Sequence, residues 1–297
     1  MINKKVGETA TSFAEKLRDF SKNTSVCQHY FVILRQIMEE NIITSPQNAR
    51  VKHVVALQQK SSLRREEGLF VVEGQREIEH CIGCGYEVVE LFVLDSLDYA
   101  GDTHTTLVTP QVYEKMAYRG STEGIIAIAR AKSHQLDDLH LPKDPLIVVL
   151  ESVEKPGNLG AVLRTAEAAH VDAVIVCDPL TDFYNPNVIR ASIGGVFSVP
   201  TVACSSRECI VFLKERGICI LTAQLQDSYD YYDYDMRGAT AIVMGTESTG
   251  LTDIWRQAAD AHIRIPMLGR LDSLNVSVSA AILTYEAVRQ RKTSPLS

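Results

Sequence analysis

The residues with chemistry in them gather in three short stretches. The first runs Lys155-Pro156-Gly157-Asn158-Leu159-Gly160-Ala161-Val162-Leu163-Arg164. The second, Gly245-Thr246-Glu247-Ser248-Thr249-Gly250, directly follows the apolar Ile242-Val243-Met244. The third, Ile265-Pro266-Met267-Leu268-Gly269-Arg270-Leu271-Asp272-Ser273-Leu274-Asn275, joins an apolar run to a helix-periodic one. Asn158 and Asn275 can each donate and accept hydrogen bonds, whereas Glu247 only accepts, from a guanidinium or from backbone N–H groups. Arg164 keeps its proton at any ordinary pH, so it is suited to gripping a phosphate or stabilising a developing oxyanion. Ser273 and Asn275 are both of a type that caps helices. Taken singly, each stretch is also an ordinary strand-loop-helix, with Ile265 and Leu274 as plain core.

These stretches need strands that end where they begin. Residues 146–150, 173–177, 201–203, 218–222, 241–244 and 263–265 are short, continuous apolar runs rich in Val and Ile. Helical spacing occupies 160–169, 187–193, 208–215 and 252–258, and the chain closes with 276–291, where Val276, Ala280, Leu283 and Ala287 form one stripe. Such alternation predicts a parallel sheet covered on both faces, an α/β fold. A helix beginning near Gly160 behind a glycine-bearing loop could cradle a phosphate. Asp178 then lies where a dinucleotide fold keeps its ribose-binding acid. That nicotinamide-cofactor reading ranks second, because Gly157 and Gly160 give G-x-x-G without the paired G-x-G, and the other two stretches are left without a role.

Upstream, residues 41–132 have a mixed α/β pattern. Thr44-Ser45-Pro46 is read as opening a helix, Phe70-Val71-Val72-Glu73-Gly74 as a buried strand and turn, 76–84 as an amphipathic helix, and 88–94 and 124–131 as strands. Residues 133–145, polar and ending in prolines, read as an interdomain linker. Residues 1–40 read as an extension with short helices at 11–20 and 26–39, and Met38 is a candidate native start.

The three stretches, in this order and spacing, resemble the signature motifs of the SpoU (TrmH-like) branch of the SPOUT RNA methyltransferases, over about 146–291. The run Val72-Glu73-Gly74-Gln75-Arg76 resembles the core of the L30e-like substrate-binding domain that precedes the catalytic domain in that family. The resemblance implies a C-terminal trefoil knot, S-adenosylmethionine as cofactor, and 2′-O-ribose methylation of structured RNA, ribosomal before transfer RNA. It places cofactor contacts at Gly245, Ile265 and Leu274, and ribose chemistry at Arg164 with Asn158, Glu247, Ser273 and Asn275. It implies a homodimer through the catalytic domain, for which the apolar stripe of the closing helix offers a surface. The chain departs from the pattern at Glu154-Lys155, where Asp-Pro is frequent, and at Thr246, where Asn is common. A non-enzyme alternative is an RNA-binding protein with a relict fold; the intact polar residues of the three stretches speak against it. Within the small domain Arg50, Lys52, Arg64, Arg65 and Arg76 are candidate RNA contacts, against the plain alternative of a solvated helix face.

Composition sets the bounds. With 297 residues, 45% hydrophobic and 23% charged, the chain has the length for one or two packed domains. The N-terminus lacks the apolar segment of a signal peptide, so a cytoplasmic, membrane-free setting is expected. Seven cysteines, an odd number, suit a reducing compartment. Cys81-Ile82-Gly83-Cys84 reads as a helix end running into Gly85. Cys204 and Cys209 have the wrong spacing for a second zinc pair, so no metal is expected. A net charge of −7 argues against a protein that coats nucleic acid, while leaving room for a local basic patch.

Overall fold

A computed structural model describes residues 42–97, 105–118, 123–246 and 249–292. The helices expected at 11–20 and 26–39, the Met38 start, and Glu247 lie outside the described residues. Two sheets form. The smaller contains β1 (Ile42–Ile43), β2 (Leu69–Glu73), β3 (Val88–Leu94), β4 (Thr105–Val108) and β5 (Ile125–Arg130), in the order β1-β4-β3-β5-β2. β5 pairs antiparallel with both β2 and β3, and β4 runs parallel to β1 and β3. Helices α1 (Ala49–Gln59), α2 (Ser61–Glu67), α3 (Gln75–Gly83) and α4 (Pro110–Met116) accompany it. The helix start expected at Thr44-Ser45-Pro46 is corrected. That segment is a turn, and Asn48 caps α1 by accepting the Arg50 N–H at 2.9 Å. Cys81 and Cys84 end α3 as free thiols beside Gly85, whose φ of +74° suits a residue without a side chain.

The larger sheet is wholly parallel. It comprises β6 (Leu146–Glu151), β7 (Ala173–Cys177), β8 (Thr201–Cys204), β9 (Cys219–Ala223), β10 (Tyr229–Asp230), β11 (Thr240–Met244) and β12 (Ala261–Arg264), in the order β10-β12-β9-β11-β6-β7-β8. The continuous apolar runs follow from burial on both faces. Along β6, Leu146, Val148 and Leu150 join one core, and Ile147 and Val149 the other. The first core takes α5 (Pro156–Ala168), α6 (Pro186–Ser192), α7 (Gly195–Ser198) and the closing helix; the second takes α8 (Ser206–Glu215) and α9 (Asp253–Ala258). The closing helix α10 (Val276–Lys292) lays Val276, Ala280, Leu283 and Ala287 into the first core. The stripe offered for a dimer is therefore consumed by the chain's own sheet, because the apolar face of a helix that closes a sheet has to cover it.

One face of the small sheet belongs to that same first core, so the two halves share a continuous apolar interior. At the seam Phe70 stacks on Tyr184 at 4.2 Å between ring centroids, and Tyr86 meets Phe197 edge-on at 5.2 Å. The Tyr184 hydroxyl donates to the Lys132 carbonyl at 2.9 Å and accepts from the Lys132 N–H at 3.0 Å. The expected linker is laid on the large domain, with Leu136, Leu139 and Leu141 against its second core. Among the described residues no helix is long and apolar enough to cross a membrane.

Candidate active site

The carboxyl ends of β9, β11 and β12 open onto a cavity of about 370 Å³. Each wall follows from a strand that stops there. After β11, Gly245 leaves no room for a side chain: a Cβ would meet the Gly250 carbonyl at 2.3 Å and the Leu251 nitrogen at 2.5 Å. The turn that crowds it is held by the Gly250 N–H on the Thr246 carbonyl, at 3.0 Å, and by the Thr246 and Thr249 hydroxyls, 2.7 Å apart. Ile265, after β12, and Leu274 line the cavity with Gly245, together with Ser273. The wall is apolar at Met244, Val276 and Leu283, with Arg256, Arg264 and Asp272 at charged positions and Thr246, Thr249 and Ser279 among the polar ones. Gln224 adds a buried amide oxygen without a hydrogen-bond partner. A partly apolar slot with backbone edges and an unclaimed amide oxygen fits an adenine-bearing cofactor, and the volume falls in the range of such sites. Sequence reading does not single out Gln224 or Gln226; their signal is only that they follow a strand ending on the same edge.

A second cavity, of about 130 Å³, shares Gly245, Thr246 and Val276 with the first and adds Lys155 and Asn158. It lies between the strand ends of β6 and β11, where the order of connection reverses, the position at which open α/β sheets bind ligands. Here the first and third stretches meet: the Asn275 amide donates to Asn158 Oδ1 at 3.1 Å. Asn275 also caps α10, its Oδ1 accepting from the Ser277 N–H at 3.0 Å, so the choice between two capping residues falls to it. Ser273 is left exposed, its hydroxyl donating to Asp272 Oδ1 at 3.3 Å.

The first stretch differs from its reading in one respect. α5 begins at Pro156, not near Gly160. A Cβ on Gly160 would lie 2.5 Å from that of Ala191 and 2.8 Å from the Val188 carbonyl, so the glycine serves a close helix crossing and not a phosphate loop. Arg164 consequently sits in the third turn, about 12 Å along the helix, beside Gly195, and lines neither cavity. It is exposed, and among the described residues its guanidinium enters no ion pair. Asp178, the acid of the nicotinamide reading, accepts from the Ser206 hydroxyl at 2.6 Å and the Ser206 N–H at 3.2 Å. It is a structural acceptor, and that reading loses both its glycine loop and its acid.

The five candidate RNA contacts divide. Lys52, Arg65 and Arg76 are exposed. Arg50 is exposed but engaged, donating to Glu90 at 2.6 Å and also to Thr106. Arg64 is corrected outright. It is 4% exposed, ion-paired to Asp182 across the seam, and also donates to the Leu57 and Gln58 carbonyls. A charge cluster in sequence does not reveal that one member turns inward to a partner 118 residues away.

A parallel sheet whose strand-end loops converge on a cavity of this size is the arrangement in which α/β proteins hold nucleotide-bearing cofactors. Comparison with known proteins gives the family. Residues 145–285 match the SpoU rRNA methylase family and residues 48–127 the MRM3-like substrate binding domain. The 23S rRNA (guanosine-2′-O-)-methyltransferase RlmB of Vibrio vulnificus is 38% identical over 194 residues, covering 63% of this chain and 78% of that protein. The 23S rRNA (guanosine(2553)-2′-O)-methyltransferase RlmP of Bacillus subtilis is 28% identical, covering 82% and 97%. The crystal structure of AdoMet-bound rRNA methyltransferase from Sinorhizobium meliloti superposes with a TM-score of 0.78 at 28% identity, over 84% of this chain and 97% of that one. The chain belongs to the SpoU rRNA methylase family.

Proposed function

We propose that this chain transfers the methyl group of S-adenosylmethionine to a ribose 2′-hydroxyl of ribosomal RNA. The observation that carries this is the meeting of all three stretches at one sheet edge, with Gly245, Ile265 and Leu274 on one cavity and Asn158 bonded to Asn275 beside it. When bound, S-adenosylmethionine supplies an electrophilic methyl group. Gly245 lets the 246–250 turn close against the strand end and presents its backbone to the slot, and Ile265 and Leu274 give the adenine apolar walls. Asn158 and Asn275 hold the ribose end, with Ser273 and Glu247 as further polar contacts. Arg164, unable to act as a simple base, steadies the alkoxide that develops as the hydroxyl loses its proton, and grips the neighbouring phosphate.

The small domain, of L30e type, brings the RNA through phosphate contacts at Arg50, Lys52, Arg65 and Arg76, where cations give affinity without sequence information. Residues 265–275 thread a loop and close a trefoil knot. What supports this is that Asn275 reaches Asn158 in the first turn of α5 while Val276 lines one cavity with Gly245, after β11. The working unit is a symmetric dimer, for which α10 leaves Val278 and Tyr285 about half exposed, at 45% and 49%. Nucleoside mass spectrometry of ribosomal RNA from cells with and without the gene tests the reading. One 2′-O-methyl group should vanish with the gene and return with the intact copy. An unchanged ribosomal RNA would overturn it.

A further inference from the structure

Three cysteines that sequence spacing keeps apart are brought together on the opposite flank of the large sheet. Cys177 is the last residue of β7 and Cys204 the last of β8, and the parallel register sets them side by side. Ser205 then caps α8, which folds back so that Cys209, at the end of its first turn, reaches the same point. The three Sγ atoms all lie within 4.8 Å of one another. Cys177 and Cys209 are fully buried, while Cys204 is half-exposed and opens the group to solvent.

The geometry assigns these three sulfurs to a thiolate site for a zinc-class divalent cation, independent of the methyltransferase reading. Zinc–sulfur bonds of about 2.3 Å at tetrahedral angles place sulfurs roughly 3.8 Å apart, so the trio has to draw in by less than about 1 Å. Cys204 also stands at the N-terminal end of α8, a ten-residue helix, where the backbone N–H groups favour an anionic sulfur. Two neighbouring carboxylates are engaged elsewhere: Glu208 accepts from Ser205 in a capping box, and Asp178 from Ser206. The protein thus supplies three ligands and leaves the fourth position, on the Cys204 side, to solvent or a small ligand. Binding releases the thiol protons to solvent and fastens β7, β8 and α8 together. No metal is expected from the sequence because Cys204 and Cys209 alone have the wrong spacing; the missing ligand comes from Cys177, on a neighbouring strand.

The test titrates the reduced, metal-free full chain with Co²⁺ under anaerobic conditions, cobalt serving as zinc's coloured stand-in. One Co²⁺ per chain should bind with an intense thiolate-to-cobalt charge-transfer band, and added Zn²⁺ should remove the band. The band should be lost in Cys204→Ala and in the near-isosteric Cys204→Ser, and kept in Cys219→Ala, a cysteine bonded instead to Tyr234. Zn²⁺ should raise the melting temperature of the parent chain and leave that of Cys204→Ser unmoved, a readout that also certifies the variant as folded. A parent chain that gives no charge-transfer band overturns the site. So does a band that survives in folded Cys204→Ser.

Discussion

The seam between the two sheets and the cleft at the carboxyl edge of the larger one are built from opposite materials. At the seam polar groups are consumed, one Glu73 carboxyl oxygen excepted: Arg64 is enclosed by Asp182 and two carbonyls, and the Tyr184 hydroxyl both donates and accepts. In the cleft they stay within reach of solvent: Ser273 and Asn275 are exposed though hydrogen-bonded, and Gln224 keeps an amide oxygen without a partner. Buried polar groups stabilise only when satisfied, so the seam is where stability concentrates. Groups that must meet a ligand have to remain accessible, and hydrogen bonds open to water contribute little to stability.

Mutation can break this contrast at either end. Asp182→Ala leaves the Arg64 guanidinium buried without its carboxylate, and such a change costs about 3–5 kcal/mol. Urea unfolding should register that loss, while calorimetry on the folded fraction should find S-adenosylmethionine affinity intact. An affinity that fell with stability would mean that seam and cleft are one cooperative unit.

Arg164→Ala should do the converse. Stability and cofactor affinity should hold, because the side chain is exposed and lines neither cavity. Methyl transfer should fall about a hundredfold, the roughly 3 kcal/mol of one strong transition-state contact. Arg164→Lys sharpens the assignment: partial activity indicates charge alone, and near-complete loss indicates that the planar fork must hold hydroxyl and phosphate together. Full activity in Arg164→Ala would remove the residue from the reaction.

The smallest effect is expected at Glu73, in the seam. Burial raises its pKa above the ordinary 4.5, opposed by the Tyr118 N–H and the Arg190 charge, and one of its carboxyl oxygens is buried without a partner. The folded state therefore holds this proton more tightly than the unfolded one. Its stabilising contribution is complete below about pH 4.5 and is lost as pH climbs through the raised folded value. Glu73→Gln, which can still accept from the Tyr118 N–H, should abolish that slope. Its urea midpoint should exceed the parent's at neutral pH and match it in acid. Equal midpoints throughout would mean that water reaches the seam at this point.

The strands of the large sheet were legible because each is buried on both faces, and a run such as Leu146-Ile147-Val148-Val149-Leu150 has no other use. β1, β4 and β10 escaped: two are only two residues long, and the third follows a segment without apolar rhythm. The grouping of Gly245, Ile265 and Leu274 was legible only through the resemblance, since aliphatic residues at strand ends look like core until the cavity between them is seen. Gly160 was misread for a related reason. A glycine near a helix start signals a phosphate loop or a close crossing equally, and only Ala191 on the neighbouring helix decides.

By itself the sequence determined the α/β class, the succession of strands and helices, and the residues with chemistry at the loop positions. These follow from periodicity, chain order and residue type, all local properties. Tertiary structure alone decided which of two consecutive arginines, Arg64 or Arg65, turns inward, which face of the closing helix is consumed, and that Cys177 joins Cys204 and Cys209. Each depends on a partner brought close by the sheet order β11-β6-β7-β8, and separation along the chain carries no record of that order.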